Sequence, residues 1–587
     1  MPADQRPTQG YGPDGYPLSP QHNTSALLLR SPSMFALVVS VLLVTLYNLR
    51  FWNELFDKVL TPSLEEIAFI LSIFVTLVLA HATILLLVPR LLPLRIVTAA
   101  IFLLAALVAF FSDSYAVIID EEMIRNLVET DAQEAGAFLV PRLAAYVVLL
   151  GLVPAIWALR VRLIAPPFGL GILHRFTFIV VAISIIAGLL WAFFPHYTSF
   201  FSEHKSRKLL NPAQPIFAAV TYFNDSAASD VAFIDHPGGQ ARRLPSAKRD
   251  APLLLFLAIG ETARAHNFQL GGYARPTNPK LSRLQDVYYF DNVASCATST
   301  AASVPCIFSP HGRSALDVDE ARRHTNLLDT LEFAGFNVEW RENNSSSKGV
   351  AARIRTKSYL ANAKESGCYR ESCYDEQMLV GLSQELKNLN QDSVIVFHDM
   401  GSHGPAYWRR YPRRFARFKP ECKTSELWKC SVESVVNTYD NSLVYTDYVL
   451  AQRIDFLKSL SDRIDSLLIY VSDHGESLGE RGIYLHGAPY AFAPATQTRV
   501  PLLIWMSEGY RRRFSIDNGC LQSQSQNRLS HDNVYHTVLG ALGLRNGFYQ
   551  RTLDLFGRCN AIRPSTIGES EPNGSDVNSK SRDPNVP

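Results

Sequence analysis

The hydrophobic pattern divides the chain into two unlike parts. Five long apolar stretches, Met34–Trp52, Ile67–Val88, Ile96–Phe111, Leu143–Leu159 and Phe176–Phe194, follow one another in the N-terminal third. Crossing a hydrocarbon layer about 30 Å thick takes about 20 helical residues, so each predicts a membrane span, the third and fourth with help from their flanks. Five in succession are too many for buried core helices. After Phe194 the pattern changes. Short apolar runs at Pro252–Ile259, Ser393–Phe397 and Ser466–Val471 are bounded by polar residues and spaced by helix-length segments. That alternation predicts a soluble α/β domain with a mostly parallel sheet flanked by helices.

The loops orient the spans. Arg6 and Arg30 precede the first, Arg90 and Arg95 lie between the second and third, and Arg160, Arg162 and Arg175 between the fourth and fifth. The third–fourth loop instead carries Asp113, Asp120, Glu121, Glu122, Glu129, Asp131 and Glu134. Arginine-rich loops stay in the cytoplasm, which puts the N-terminus inside and everything after Phe194 on the far side. The first stretch is no cleavable signal peptide, because no small-residue cleavage site follows it and further spans do. The expected division is a disordered tail over 1–30, a five-span bundle over 31–195, an interfacial linker over 196–250, a soluble domain over 251–562 and a disordered tail over 563–587. Within the linker, Tyr197–Leu210 mixes aromatics with Lys and Arg and predicts an amphipathic helix at the membrane surface, while 225–250 reads as loop.

Composition adds two points. With 56 Lys and Arg against 54 Asp and Glu, a net charge of +2 gives no field for nucleic-acid binding. All 8 cysteines lie beyond Phe194, six of them in close pairs and none in a CxxC, which favours disulfides over metal thiolates. Disulfides require an oxidising compartment, in agreement with the topology.

Each of the three short strands ends in a possible ligand: Gly260-Glu261-Thr262, then His398-Asp399-Met400-Gly401-Ser402-His403, then Asp473-His474-Gly475. Carboxyl ends of parallel strands share one side of a sheet, where α/β folds bind ligands. Asp473 and His474 offer the oxygen and nitrogen donors that suit zinc. The segment SCATSTAASVPCIFS, Ser295–Ser309, is hydroxyl-rich, bracketed by Cys296 and Cys306, and able to start a helix whose N-terminus favours an anionic phosphate. A hydroxyl held on zinc is a competent nucleophile at neutral pH, and Thr298 and Thr300 are both available.

Four motifs carry a family resemblance: GETARAHNFQLGGYARPTNP (260–279), SCATSTAASVPCIFS (295–309), HDMGSHGPAYWRRYP (398–412) and YVSDHGESLGERGIYLHGAPY (470–490). With them the chain resembles the membrane-bound phosphoethanolamine transferases of Gram-negative bacteria, in the alkaline phosphatase/sulfatase-like superfamily. The lipid A-modifying group linked to polymyxin resistance is the most similar. The Cys/Ser-x-Pro-x-Arg nucleophile motif of sulfatases is absent from the sequence.

The resemblance implies that Glu261, Thr300, Asp473 and His474 hold a catalytic zinc, with Thr300 as nucleophile and Thr298 as its competitor. It makes His403 and His486 a second histidine pair, contacting the phosphoryl group or a second zinc, and Lys348 a substrate-binding residue. His398 and His531 are expected to support the site rather than ligate. Disulfides carry over as Cys296–Cys306 and Cys422–Cys430. Cys368–Cys373 is spaced more tightly than the family pattern, and Cys520–Cys559 then remain. The implied protein is a monomeric multi-pass enzyme of the bacterial inner membrane with its catalytic domain in the periplasm. Its donor would be phosphatidylethanolamine and its acceptor a phosphate of lipid A, or alternatively core-oligosaccharide heptose, a glucan or a protein. A non-catalytic lipid or metal sensor is the remaining reading, and it conflicts with an intact set of zinc ligands.

Overall fold

A computed structural model of the full-length chain describes residues 31–59, 63–89, 92–129, 132–164, 166–194, 196–197, 206–227, 239–244, 251–359, 368–369, 372–557 and 559. The expected tails, 1–30 and 563–587, lie outside these residues.

The membrane half contains α1 (Pro32–Leu46), α2 (Leu49–Val59), α3 (Leu64–Leu87) and α4 (Leu94–Tyr115), then, after the short α5 (Glu121–Glu129), α6 (Pro141–Arg160) and α7 (Phe168–Ala192). Four of these helices, α3, α4, α6 and α7, are long and apolar enough to span, and α1 with Leu49–Phe56 supplies a fifth that is bent by 61°. The span expected over Met34–Trp52 is therefore a bent pair of helices. The cause is Asn48, whose side-chain amide is buried at the break. Its Nδ2 donates to Leu43 O and Asn211 O, and its Oδ1 accepts from Asn211 N. Asn211 in turn donates through Nδ2 to Tyr47 O, 3.1 Å, and Ala105 O, 2.8 Å. An apolar surrounding makes each unpaired amide costly, so the two asparagines pair with each other and with the carbonyls the bend exposes.

α6 is also irregular. Val147–Leu152 is π-helical, Pro154 offers no N–H to the turn before it, and the Leu150 carbonyl accepts instead from the Tyr47 hydroxyl. α7 begins at Phe168 rather than Phe176, because the apolar pattern continues through Arg175, whose guanidinium reaches Leu86 O and Val88 O.

Most of the expected interfacial helix Tyr197–Leu210 lies outside the described residues, and the described part includes a 3-10 turn at Ser206–Leu209. An unanticipated helix, α8 (Ala213–Ala227), follows it and exposes Phe217, Val220 and Phe223. Residues 225–250, read as loop, are mostly outside the described set, but Arg242–Arg243 form a short antiparallel pair with Leu544–Arg545.

The soluble half is built on eight strands: β1 (Leu253–Gly260), β2 (Val287–Ala294), β3 (Asn337–Glu342), β4 (Arg355–Ser358), β5 (Ser393–His398), β6 (Asp465–Ser472), β7 (Arg499–Met506) and β8 (Leu529–Ser530). Their order is β8-β2-β7-β6-β1-β5-β3-β4, and only β7 runs antiparallel to the rest. β1 is buried at every position, because both faces of the sheet are covered. Leu255, Leu257 and Ile259 point into one core with α9 (Thr300–Phe308) and α12 (Asp532–Ala541). Leu254, Phe256 and Ala258 point into the other, against the long α11 (Val432–Lys458). That second core takes in Phe110 and Tyr115 from α4, so the two halves share apolar packing.

Cys296–Cys306, Cys422–Cys430 and Cys520–Cys559 are bonded, Cys368 faces Cys373 across a two-residue hairpin with Cys373 in a disulfide, and no described cysteine is free.

Asn48→Ala and Asn211→Ala should each lower the thermal midpoint of the detergent-solubilised protein, since each leaves buried amide partners unmatched at about 1–3 kcal/mol. Asn48→Ala removes the bonds to Leu43 O and to the Asn211 backbone, and Asn211→Ala those to Tyr47 O and Ala105 O, so the double variant should be worse than either single one. A double variant no less stable than the single ones would show that all these bonds are lost together when either side chain is removed.

Candidate active site

The site is set by adjacent parallel strands. β5, β1 and β6 run in register, with Ile259 opposite both His398 and Val471 and Gly260 opposite Ser472. Glu261 and Asp473 therefore leave the sheet side by side. Two backbone features hold them there. Thr262 adopts φ 52° and its N–H donates to Asp473 Oδ1 at 3.1 Å, while its carbonyl accepts from Tyr439 of α11. Gly401, at φ 49°, packs on Glu261 so closely that a Cβ would lie 2.7 Å from Glu261 O. Lys348 and Leu485 also have positive φ, so strained backbone clusters around this crevice.

Ser299, extended at φ −141°, precedes α9, and Thr300 is the first helical residue. Thr300 Oγ1 donates to Glu261 Oε2 at 2.9 Å and lies 3.3 Å from His474 Nε2. Thr298 is engaged elsewhere, its hydroxyl donating to Ala488 O at 2.6 Å and its carbonyl accepting from Gly487 N. The fold thus brings Thr300, not Thr298, to the carboxylates. The Cys296–Cys306 disulfide spans this turn, and His531 braces it by accepting from Cys296 N and donating to Ser472 O.

Glu261, Asp473 and His474 each offer a donor atom within 4.8 Å of the other two. His474 Nδ1 faces Gly475 O at 2.9 Å, a carbonyl that can only accept, so Nε2 presents its lone pair to the group. Glu261 Oε1 and Asp473 Oδ2 are buried and make no hydrogen bond to the described residues. Burial drives the Asp473 carboxyl well above its usual range, and the Glu261 charge adds to that, while burial and then His486 push His474 down to about 3. Two close buried carboxylates with orphaned oxygens, a neutral imidazole and a hydroxyl form a donor set that fits a divalent cation such as zinc.

The other expected residues sit around this group. His486 packs against His474 with ring centres 4.4 Å apart and planes tilted by 43°, and His403 lies 5.8 Å from His486. Their tautomers differ. His486 Nδ1 donates to Glu476 Oε2, leaving Nε2 basic, whereas His403 Nδ1 accepts from the Arg410 guanidinium at 3.4 Å, leaving a proton on Nε2. His486 is suited to ligate or accept, and His403 to donate. Lys348 is buried, with Nζ 3.3 Å from Ser345 O and its charge acting on His398. His398 itself pairs with Glu342 at 3.0 Å.

Two further residues belong here that the sequence reading did not single out. Asn344 donates to the same Glu261 oxygen as Thr300, at 2.7 Å, and to Asp399 O. Glu476 is fully buried between Tyr407 and His486. Both stand within motifs, in RENNSSSKG and DHGES, and a buried-looking carboxylate two residues after His474 was the available signal.

A bundle of apolar helices long enough to span a membrane, joined to a mostly parallel sheet with a hydroxyl and a candidate metal-binding group at its carboxyl ends, defines a membrane-bound member of the sulfatase class. A sulfatase family model matches residues 254–544, and one described as phosphoethanolamine transferase EptA/EptB matches 74–227. Phosphoethanolamine transferase EptA of Escherichia coli K12 is 36% identical over 91% of this chain and 99% of its own. Phosphatidylethanolamine transferase Mcr-1 of Escherichia coli is 38% identical over 88% of this chain and 96% of its own. The solved structure of full-length lipooligosaccharide phosphoethanolamine transferase A from Neisseria meningitidis superposes with a TM-score of 0.87 at 30% identity, over 90% of this chain and 99% of that one. The chain belongs to the phosphoethanolamine transferase family.

Glu261→Gln and Asp473→Asn should each lose bound metal, because each removes an anionic ligand from a buried site. Elemental analysis of the purified variants beside wild type checks this, and metal retained at wild-type stoichiometry in both would exclude the site.

Proposed function

We propose that this chain transfers phosphoethanolamine from phosphatidylethanolamine to a phosphate of lipid A, with Thr300 as nucleophile and zinc held by Glu261, Asp473, His474 and Thr300. The catalytic half then stands in the periplasm and the bundle in the bacterial inner membrane. The observation that carries the reading is the Thr300 hydroxyl 2.9 Å from Glu261 inside a buried two-carboxylate, one-imidazole group. One zinc accounts for the orphaned oxygens, and His486, with a basic Nε2, is the residue that would serve a second.

When bound, the metal supplies a Lewis acid that lowers the hydroxyl pKa and offsets phosphoryl charge. The residues of the chain do the rest. Glu261 Oε2 accepts the Thr300 proton, and Asn344, donating to that same oxygen, keeps the carboxylate aimed at it. Thr300 Oγ1 forms a bond to phosphorus as the phosphorus–glycerol oxygen bond breaks, and diacylglycerol leaves carrying the proton that Glu261 took from Thr300. His403, a donor at Nε2, and the Lys348 ammonium meet the charge on the phosphoryl oxygens, which is positioning and electrostatics rather than further covalent work. A phosphate oxygen of lipid A, giving up its proton to Glu261, then attacks the phosphorus as the Thr300 Oγ1–phosphorus bond breaks, and Glu261 passes that proton to Thr300. The product places an ammonium group beside a lipid A phosphate, which reduces attraction for polymyxin and other polycationic peptides.

Thr300→Ala should reduce transfer to lipid A by about 10³-fold or more, since no other described hydroxyl donates to Glu261. Wild-type protein given donor without acceptor should carry phosphoethanolamine on the peptide containing Cys296–Cys306, and mass spectrometry should find the adduct in Thr298→Ala but not in Thr300→Ala. Lipid A modified at the wild-type rate by Thr300→Ala would end this mechanism.

A further inference from the structure

The family fold leaves open how the membrane half is tied to the nucleophile. α5 belongs to the membrane half, between α4 and α6, yet its ion pairs run to α10 (Val318–Arg323) in the soluble half. Arg125 grips Asp319 with both terminal nitrogens, at 2.6 and 3.0 Å, and lies 5.3 Å over the Tyr222 ring of α8. Glu129, at the far end of α5, pairs with Arg322 at 2.6 Å. These are not solvated surface pairs: the Arg125 side chain is 9% exposed and Glu129 and Arg322 are 18% and 20% exposed. Bidentate, poorly solvated pairs fix geometry in a way that exposed ones do not.

Arg322 does something further. Pro305 sits inside α9 and has no N–H, so the carbonyl of Ala301 one turn earlier has no helical partner. Arg322 Nη2 donates to that carbonyl at 2.9 Å. Ala301 follows Thr300 directly. A single guanidinium thus joins Glu129 of the membrane half to the first turn of the nucleophile helix.

α5 meets the site a second time through Met123. A Cβ at Gly487 would fall 2.6 Å from the Met123 Cε, so the two are in close packing, and Gly487 N donates to the Thr298 carbonyl. On its other side α5 walls an apolar groove of about 630 Å³ that runs from Leu107 and Phe111 on α4 past Met123 and Leu127 to His486. The groove suits acyl chains, and it reaches His486, whose ring centre lies 4.4 Å from that of His474.

We propose that the Arg125–Asp319 and Glu129–Arg322 pairs form a clasp that holds the groove in line with Thr300, making Arg125 and Arg322 positioning residues for a lipid-borne phosphoester donor. The assignment to a donor rests on the transferase reading, while the clasp itself rests on the contacts alone. The two pairs differ in what they control. Arg125 fixes α5 and hence the groove, so its loss falls on donors with acyl chains. Arg322 also holds the Thr300 turn, so its loss falls on any donor.

The test uses the full-length protein in detergent with lipid A as acceptor and two donors, a fluorescent phosphatidylethanolamine and the nitrophenyl ester of phosphoethanolamine, which has the headgroup and no acyl chains. Arg125→Asp and Asp319→Arg should each lower kcat/KM for the lipid about tenfold and leave the soluble ester within about twofold, the size expected for lost alignment. The exchanged double variant, Arg125→Asp with Asp319→Arg, should recover most of the loss. Arg322→Glu should lower kcat for both donors, and exchanging it with Glu129→Arg should not recover it, because a carboxylate at position 322 cannot donate to Ala301 O. Equal loss on both donors in Arg125→Asp, or an exchanged variant as impaired as the single ones, would overturn the proposal. Hydrogen–deuterium exchange reads the clasp without turnover: Arg322→Glu should speed exchange across Thr300–Phe308, and unchanged rates there would overturn the clasp whatever the reaction. Wild-type protein that turns over neither donor would count against the transferase reading instead.

Discussion

Two carboxylates, Glu261 and Asp473, are buried within reach of one another and of the His474 imidazole. Ionised together without a cation they would repel in a low-dielectric site, and burial already drives Asp473 far toward its neutral form. Much of the soluble half is arranged to keep them in that position. β1, β5 and β6 are in register so that their ends coincide. Gly401 gives Glu261 room, and Thr262 accepts a strained φ to turn its N–H onto Asp473. Asn344 and Thr300 share one oxygen of Glu261, which leaves the other oxygen for a metal. A divalent cation held by these groups would relieve the repulsion, so the stability of the soluble half would depend on it.

Around this centre the polar groups are fixed in pairs rather than singly. Each histidine has a partner that sets its tautomer: a carbonyl for His474, a carboxylate for His486, a guanidinium for His403. His474 and His486 thereby carry the proton on Nδ1 and His403 on Nε2. The assignment comes from the atoms on the far side of each ring, which are supplied by the backbone of Gly475, by Glu476 and by Arg410.

The second constraint is that a donor with acyl chains has to reach a site built in a soluble fold. The shared core at Phe110, Tyr115 and Trp428, with Arg142 stacked 4.7 Å over the Trp428 ring, docks the soluble half on α4 and α6. α5 and α8 then fill the gap between bundle and sheet, and the groove lies between them. The bend at Asn48 belongs to the same arrangement. The Asn48–Asn211 bonds pin the start of α8 to the bundle, so the wall of the groove is anchored inside the membrane half.

Local pattern alone was enough for the spans, the class of the soluble fold and the three groups after the strands that the fold brings together, Glu261, Asp473 and His474. Spans depend on the solubility of a contiguous stretch, and ligands that directly follow buried strands converge because parallel strands end together. The choice between Thr298 and Thr300 was a matter of tertiary structure, because two hydroxyls two residues apart are distinguished only by where the helix begins and by what the Ala488 carbonyl takes up. The break in the first span was likewise invisible, since Asn48 reads as one tolerated polar residue until Asn211, far along the chain, is folded against it. Asn344, Arg125 and Arg322 carry no local signal that separates them from loop or surface residues. Their roles come from partners distant in sequence, and an interaction between distant segments exists only after the chain has closed on itself.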